Sequence, residues 1–260
     1  MIRILMVMTL VLVATSSANA AVQTKQITYK HGDLNCQGFL AWNDEVKGPR
    51  PGVLVVHEWW GLNDYARHRA EELAKLGYVA FAADMYGEGK TAAHPKEAGE
   101  MAGKVRANVQ DWRKRATEAL EVLKAQPQCD KTKLAAIGYC FGGSTALQLA
   151  YSGADLKAVA TFHAALPAPT EAEAKQVKAA MLVCNGAADS FITPEAIKAF
   201  TDTLKKAGVK VEFVNYPGAH HSFTVPDADK HGNANMKYDK KADEGSWKRM
   251  KELFAEKLGK

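Results

Sequence analysis

Cysteine is scarce: four residues in 260, and no two of them form a Cys-x-x-Cys pair. That spacing is the mark of dithiol redox sites and of thiolate zinc knuckles, so both classes lose their usual signature. Histidine is commoner, at eight residues, but no His-x-x-x-His occurs. The adjacent pair His220-His221 would point to opposite sides of an extended chain, so a zinc site is not expected and no cofactor is called for. Beyond the first twenty residues no apolar run nears the roughly 20 needed to cross a bilayer. Basic charge lacks a block as well, since the net charge of +5 comes from scattered lysines. The tightest group, Arg113-Lys114-Arg115, has Asp111 and Glu118 beside it in a helical pattern and reads as a solvated face, which leaves no stripe for nucleic acid. Neither a repeat nor a low-complexity segment is visible.

What is present fits a globular α/β protein. Hydrophobic residues make up 47% and charged residues 24% of the chain, enough for one sizeable core. Residues 1–20 read as a secretory signal peptide: Met1-Ile2-Arg3 is a short positive start, Ile4 to Ala14 is apolar, and Ala18-Asn19-Ala20 is a small-x-small site. The expectation is a single domain over residues 21–260. It would be exported, periplasmic in a Gram-negative source and secreted otherwise, monomeric, and free of the membrane once cleaved. In an oxidising compartment Cys36 and Cys129 are the pair most free to join if Cys140 is a working thiol, although four cysteines allow three pairings. Cys184, in the apolar run Ala179 to Cys184, reads as a buried strand thiol.

Strand and helix patterns alternate. Gln26 to Tyr29 and Cys36 to Trp42 read as a hairpin turning at His31-Gly32-Asp33. Val53 to Val56 and Val79 to Ala83 run apolar without alternation and suit strands covered on both faces, and Leu134 to Gly138, Ala158 to Phe162, Ala179 to Cys184 and Val209 to Tyr216 read as the strands that follow. Helices are expected from Asn63 or Asp64 to Gly77, Arg106 to Ala125, Phe141 to Ala150, Pro194 to Ala207 and Glu244 to Leu258. This order predicts a mostly parallel central sheet with helices on both faces, and the loops after the strands gathered along one edge.

Four of those loops carry reactive side chains. Gly138-Tyr139-Cys140-Phe141-Gly142 breaks an apolar run and opens a helical one, the strand-turn-helix pattern of a nucleophile elbow, with Cys140 where serine commonly stands. The short motif alone leaves open a small buried thiol at a tight turn. Farther on, Asp189 follows one predicted strand and His221 follows the last, so nucleophile, acid and base occur in the order Cys140, Asp189, His221. A thiolate attacks an acyl carbon, an imidazole carries the proton, and a carboxylate sets the imidazole's tautomer. Glu58, just past Val56, projects at the same edge, with capping of the following helix as its structural alternative. His163 faces that edge too and reads as a structural histidine.

Together, Gly138 to Gly143, the loop beginning His57-Glu58, the Gly186 to Asp189 turn and His221-Ser222-Phe223 resemble the dienelactone hydrolase family over nearly the whole mature chain. The resemblance implies the α/β-hydrolase fold and cleavage of a small carboxylic ester or lactone through an acyl-cysteine. It implies that Cys140, Asp189 and His221 are the triad and that the N–H groups of Trp59 and Phe141 form the oxyanion hole. It also implies that Glu58 pairs with the resting thiol and helps to deprotonate it. The resemblance also implies two arginines that bind the substrate carboxylate; this chain has Gly87 to Lys90 in one region, where Lys90 could substitute as a point charge without the bidentate fork, and Val225 in the other. A neutral or bulkier ester is therefore at least as much expected as a dienelactone, with Trp60, Tyr86 and Phe223 as pocket walls and Lys90 as a substrate-binding charge. The alternative is a ligand-binding module that keeps the fold without the activity.

Overall fold

The computed structural model describes residues 22–259; the expected signal peptide lies outside them. Eight strands form one sheet in the order β1-β2-β4-β3-β5-β6-β7-β8. They span β1 Val22–His31, β2 Leu34–Asn43, β3 Arg50–Val56, β4 Val79–Ala83, β5 Cys129–Tyr139, β6 Ala158–Phe162, β7 Ala180–Gly186 and β8 Val211–Tyr216. The hairpin β1-β2 and the pairing of β2 with β4 are antiparallel, while β4-β3-β5-β6-β7-β8 is parallel throughout.

Every residue of β3, β4 and β6 is buried, which is why Val53 to Val56 and Val79 to Ala83 read as unbroken apolar runs. Alternate residues feed two cores. Leu54 and Val56 join the side covered by α2 (Pro95–Arg106), α3 (Val109–Lys124) and α4 (Phe141–Tyr151), with α6 (Pro194–Lys206) farther along. Val53 and Val55 join the side covered by α1 (Asp64–Lys75) and α7 (Lys240–Leu258). A single turn, α5 (Glu171–Ala174), is closed by a capping box between Thr170 and Glu173.

Two helices lie before β5: α3 is the one expected from Arg106 to Ala125, and α2, ahead of it, is not among the expected helices. The first, α2, carries Gly99 and Gly103, poor helix formers that hide its pattern in the sequence. The second starts afresh at Asn108, whose side chain accepts from the N–H groups of Gln110 and Asp111. The expected Cys36–Cys129 disulfide is also corrected. Both thiols are free and buried, on β2 and β5, and these strands are three steps apart in the sheet. At about 4.8 Å per step that is roughly 14 Å, well beyond disulfide reach.

Candidate active site

Cys140 occupies the turn between β5 and α4 with φ 51° and ψ −113°, a backbone state that costs a non-glycine residue energy and persists where its surroundings enforce it. The flanking glycines are what allow it. A Cβ on Gly138 would lie 2.0 Å from the Gly142 carbonyl oxygen, and one on Gly142 would lie 2.2 Å from that of Val56. The turn is thus wedged against the end of β3, and Cys140 stands where β3 and β5 both finish. It is also the one partly exposed cysteine among the described residues. Burial pushes the thiols of Cys36 and Cys129 up to about 11 and that of Cys184 to about 12, so these three stay protonated.

His221, which follows β8, directs Nδ1 to Asp189 Oδ2 at 2.8 Å. Asp189 in turn accepts the backbone N–H of Phe191, and its side chain has no solvent exposure. Burial alone would lower the imidazole's pKa. Cys140, by charge and hydrogen bonding, and the Asp189 carboxylate override it and hold His221 well above its ordinary value. Phe191, half exposed, sets its ring edge-on to His221 with centroids 5.1 Å apart. His220 makes no such contact with Asp189, and its Nδ1 has no partner.

The loop after β3 supplies Glu58, Trp59 and Trp60. His57 Nε2 accepts the Met85 N–H, so its Nδ1 carries the proton and donates to the Glu58 carbonyl at 2.5 Å. This locks the loop against the end of β4. The N–H groups of Trp59 and Phe141 have no intramolecular acceptor among the described residues, the condition for donating to something else. Glu58 is 3% exposed. Burial raises its pKa, partly offset by the charge of His221 and the hydroxyl of Ser222, which donates to Oε1 at 3.0 Å.

Glu58 therefore differs from expectation. Its direct partner is Ser222, with His163 Nδ1 at 3.6 Å, and no hydrogen bond joins it to Cys140. Serine next to the histidine gave a local signal, but its partner is 164 residues away and no local pattern announces that contact.

The expected pocket residues divide. A cavity of about 590 Å³ opens beside Glu58, lined by Trp60, Ala92, Val225, Pro226 and His231 among others. Trp60 stacks on His231 with centroids 4.2 Å apart, on the lining of this cavity. Tyr86 is instead a brace: packed on His57 and Phe141, it donates its hydroxyl to the Trp59 carbonyl at 2.8 Å. Phe223 is completely buried behind the site, edge-on to His163. Lys90 is exposed and ion-paired with Glu88 rather than turned to the crevice.

The model of the dienelactone hydrolase family matches residues 36–258. Protein usf of Aquifex pyrophilus is 28% identical over 203 residues, covering 76% of this chain and 86% of its own. The solved structure of m3DLH is 41% identical with a TM-score of 0.89, and covers 92% of this chain and 99% of that one. The dienelactone hydrolase-like promiscuous phosphotriesterase P91 from metagenomic libraries is 39% identical, again with a TM-score of 0.89 and the same coverage. The chain belongs to the dienelactone hydrolase family, with its α/β-hydrolase fold, and is a carboxylic ester hydrolase.

Proposed function

We propose that this hydrolase cleaves small carboxylic esters or lactones with Cys140 as nucleophile, His221 as general base and acid, and Asp189 as the carboxylate that orients the imidazole. The observation that carries the reading is the 2.8 Å contact between His221 Nδ1 and Asp189 Oδ2, in a buried site where Cys140 acts on the same ring. The sulfur electron pair attacks the acyl carbon, and the oxyanion that forms is met by the free N–H groups of Trp59 and Phe141. His221, whose raised pKa has it enter the reaction as an imidazolium, gives its Nε2 proton to the departing alkoxide as the C–O bond breaks. Water, deprotonated by the same imidazole, then attacks the thioester; the C–S bond breaks and the departing thiolate takes a proton back from Glu58, which returns Cys140 as a thiol and Glu58 as a carboxylate.

Glu58 serves the first proton transfer. When substrate enters, its carboxylate takes the thiol proton: the S–H bond breaks, an O–H bond forms, and the electron pair stays on sulfur. Burial favours this, because a carboxylate in a dry site gains by becoming neutral. The Trp60–His231 cavity receives the larger part of the substrate. A phosphotriester is the second substrate class, supported by the likeness to P91.

The same reading has residues 1–20 removed as a signal peptide and the mature chain exported as a monomer. Aryl-ester turnover by wild type and Cys140→Ala, each before and after iodoacetamide, tests the mechanism. Turnover that needs both the thiol and its accessibility supports it, and turnover that survives in the alanine variant refutes it. N-terminal sequencing of protein recovered from the cell envelope tests the export.

A further inference from the structure

Four non-glycine residues of the described chain have left-handed backbone, and three of them gather here: Cys140 (φ 51°), His163 (φ 41°) and Ser222 (φ 55°). Strain of this kind collects where geometry serves function. Cys140 and Ser222 already have their places in the site, and His163 has none. It follows β6 at the carboxyl edge of the sheet, is entirely buried, and fixes its backbone by donating its N–H to the Cys184 carbonyl.

Its ring joins two systems. Nε2 lies 2.8 Å from Thr224 Oγ1, and Nδ1 lies 3.6 Å from Glu58 Oε1 with no hydrogen-bond partner. Thr224 Oγ1 is 2.6 Å from the Tyr65 hydroxyl, which accepts from Arg69 Nε at 3.2 Å. Arg69 is held in turn by Glu72, Asp243 and the Thr224 carbonyl. A buried polar line thus runs from a fixed cation on α1 to the Glu58 carboxylate.

Direction follows from its first member. Arg69 always carries its protons, so the Tyr65 oxygen accepts and the phenol hydrogen is free for Thr224. The threonine hydrogen then goes to His163 Nε2. Burial, with the charge of His221 added, lowers the pKa of His163 far enough that the ring is neutral and has one proton to place. That proton falls on Nδ1, facing Glu58.

We propose that His163 is a positioning residue, set in its Nδ1–H tautomer by the line Arg69–Tyr65–Thr224, whose N–H dipole keeps Glu58 ionised until it takes the thiol proton. This rests on the role given to Glu58 above. At 3.6 Å the contact is longer than a hydrogen bond, so the carboxylate is favoured by the dipole without being tied to it. The other groups facing Glu58 are the rings of His221 and Trp60, the Ser222 hydroxyl and the Tyr65 phenol. Those facing His163 are His221, Arg69, Thr224 and the rings of Tyr139 and Phe223.

The test is the pH dependence of kcat/KM for an aryl acetate and of Cys140 alkylation by iodoacetamide. It compares wild type, His163→Leu, His163→Asn, Thr224→Val and Glu58→Gln, with His163→Leu also made on the Glu58→Gln background. Removing the dipole leaves the Glu58 proton more tightly held, so His163→Leu moves the acid limb upward by about one pH unit and loses about tenfold in kcat below it, KM being little changed. Asparagine, whose amide N–H takes the Nδ1 position, restores the limb; Thr224→Val shifts it in the same direction as leucine; and on the Glu58→Gln background the leucine causes no shift. An unmoved limb in His163→Leu, or an equal shift with Glu58→Gln, overturns the role of His163. A wild-type limb in Glu58→Gln alone overturns the role of Glu58 itself. Nitrogen-15 NMR of the histidines in the unmodified chain needs no variant to fold: a protonated Nδ1 and bare Nε2 on His163 are expected, and the reverse tautomer overturns the proposal.

Discussion

Ser222 donates to Glu58 at 3.0 Å, so the residue after His221 and the carboxylate after β3 are coupled although 164 positions separate them. The bond ties the acid-base side of the site to the loop that carries the free Trp59 N–H. It also holds a charge in a place where solvent cannot, and that has a cost in stability.

The cost is readable against pH. The folded pKa of Glu58 is raised above the ordinary 4.5, chiefly by burial, so the folded state binds its proton more tightly than the unfolded state does. Stability from this group is therefore greatest below pH 4.5 and falls as pH rises from there through the folded pKa. Glu58→Gln, whose side-chain oxygen still accepts from Ser222, removes the penalty. Its Tm at pH 8 is expected to exceed that of wild type by about 2–4 °C, with the gap closing below pH 4.5. Thermal melts at the two pH values check this, and a lower Tm for the variant at pH 8 would contradict it.

Asp189 carries the opposite expectation. Asp189→Asn keeps the shape but loses the acceptor that fixes the His221 tautomer, and kcat is expected to fall by about 10³-fold or more. Steady-state kinetics beside a melting curve separate the two effects: activity collapses while the fold is retained.

Much of this was legible in the sequence, and the failures share a cause. The turns that hold Cys140 and Asp189 are announced by strands whose last residues are buried apolar runs, while His221 follows β8, an edge strand that shows itself by alternation instead. The first of the two helices before β5, α2, is hidden because Gly99 and Gly103 dilute its pattern. Phe223 was misplaced because an aromatic residue beside a catalytic motif looks the same in sequence whether it faces the crevice or the core. The line from Arg69 to His163 was invisible because its members come from α1, the turn after β6 and the turn after β8, and only the sheet order brings these together.

Gly142 is where packing and catalysis meet most tightly. A methyl group there would press on the Val56 and His57 carbonyl oxygens at 2.2 and 2.5 Å, and backbone atoms at the end of a central strand have nowhere to move. Gly142→Ala is expected to cost about 3 kcal/mol or more and to lower Tm by roughly 6–12 °C. A melting temperature within a degree of wild type would show that the elbow is less confined than these distances say.

Thiolate chemistry sets a limit on substrates. A thiolate leaves a tetrahedral intermediate more readily than an alkoxide, so plain alkyl esters tend to revert while enol esters and lactones go forward. The expected kcat/KM for vinyl acetate exceeds that for ethyl acetate by at least about tenfold, a barrier difference of about 1.4 kcal/mol. Equal constants would remove the preference.

The central claim is that Cys140 forms the covalent bond. Rapid acid quenching of the wild-type enzyme during turnover of an aryl ester, followed by digestion and mass spectrometry, reads it directly. The account predicts the acyl mass on the peptide containing Cys140, absent from Cys140→Ala, which is inactive; an unmodified Cys140 peptide together with an active alanine variant would contradict it.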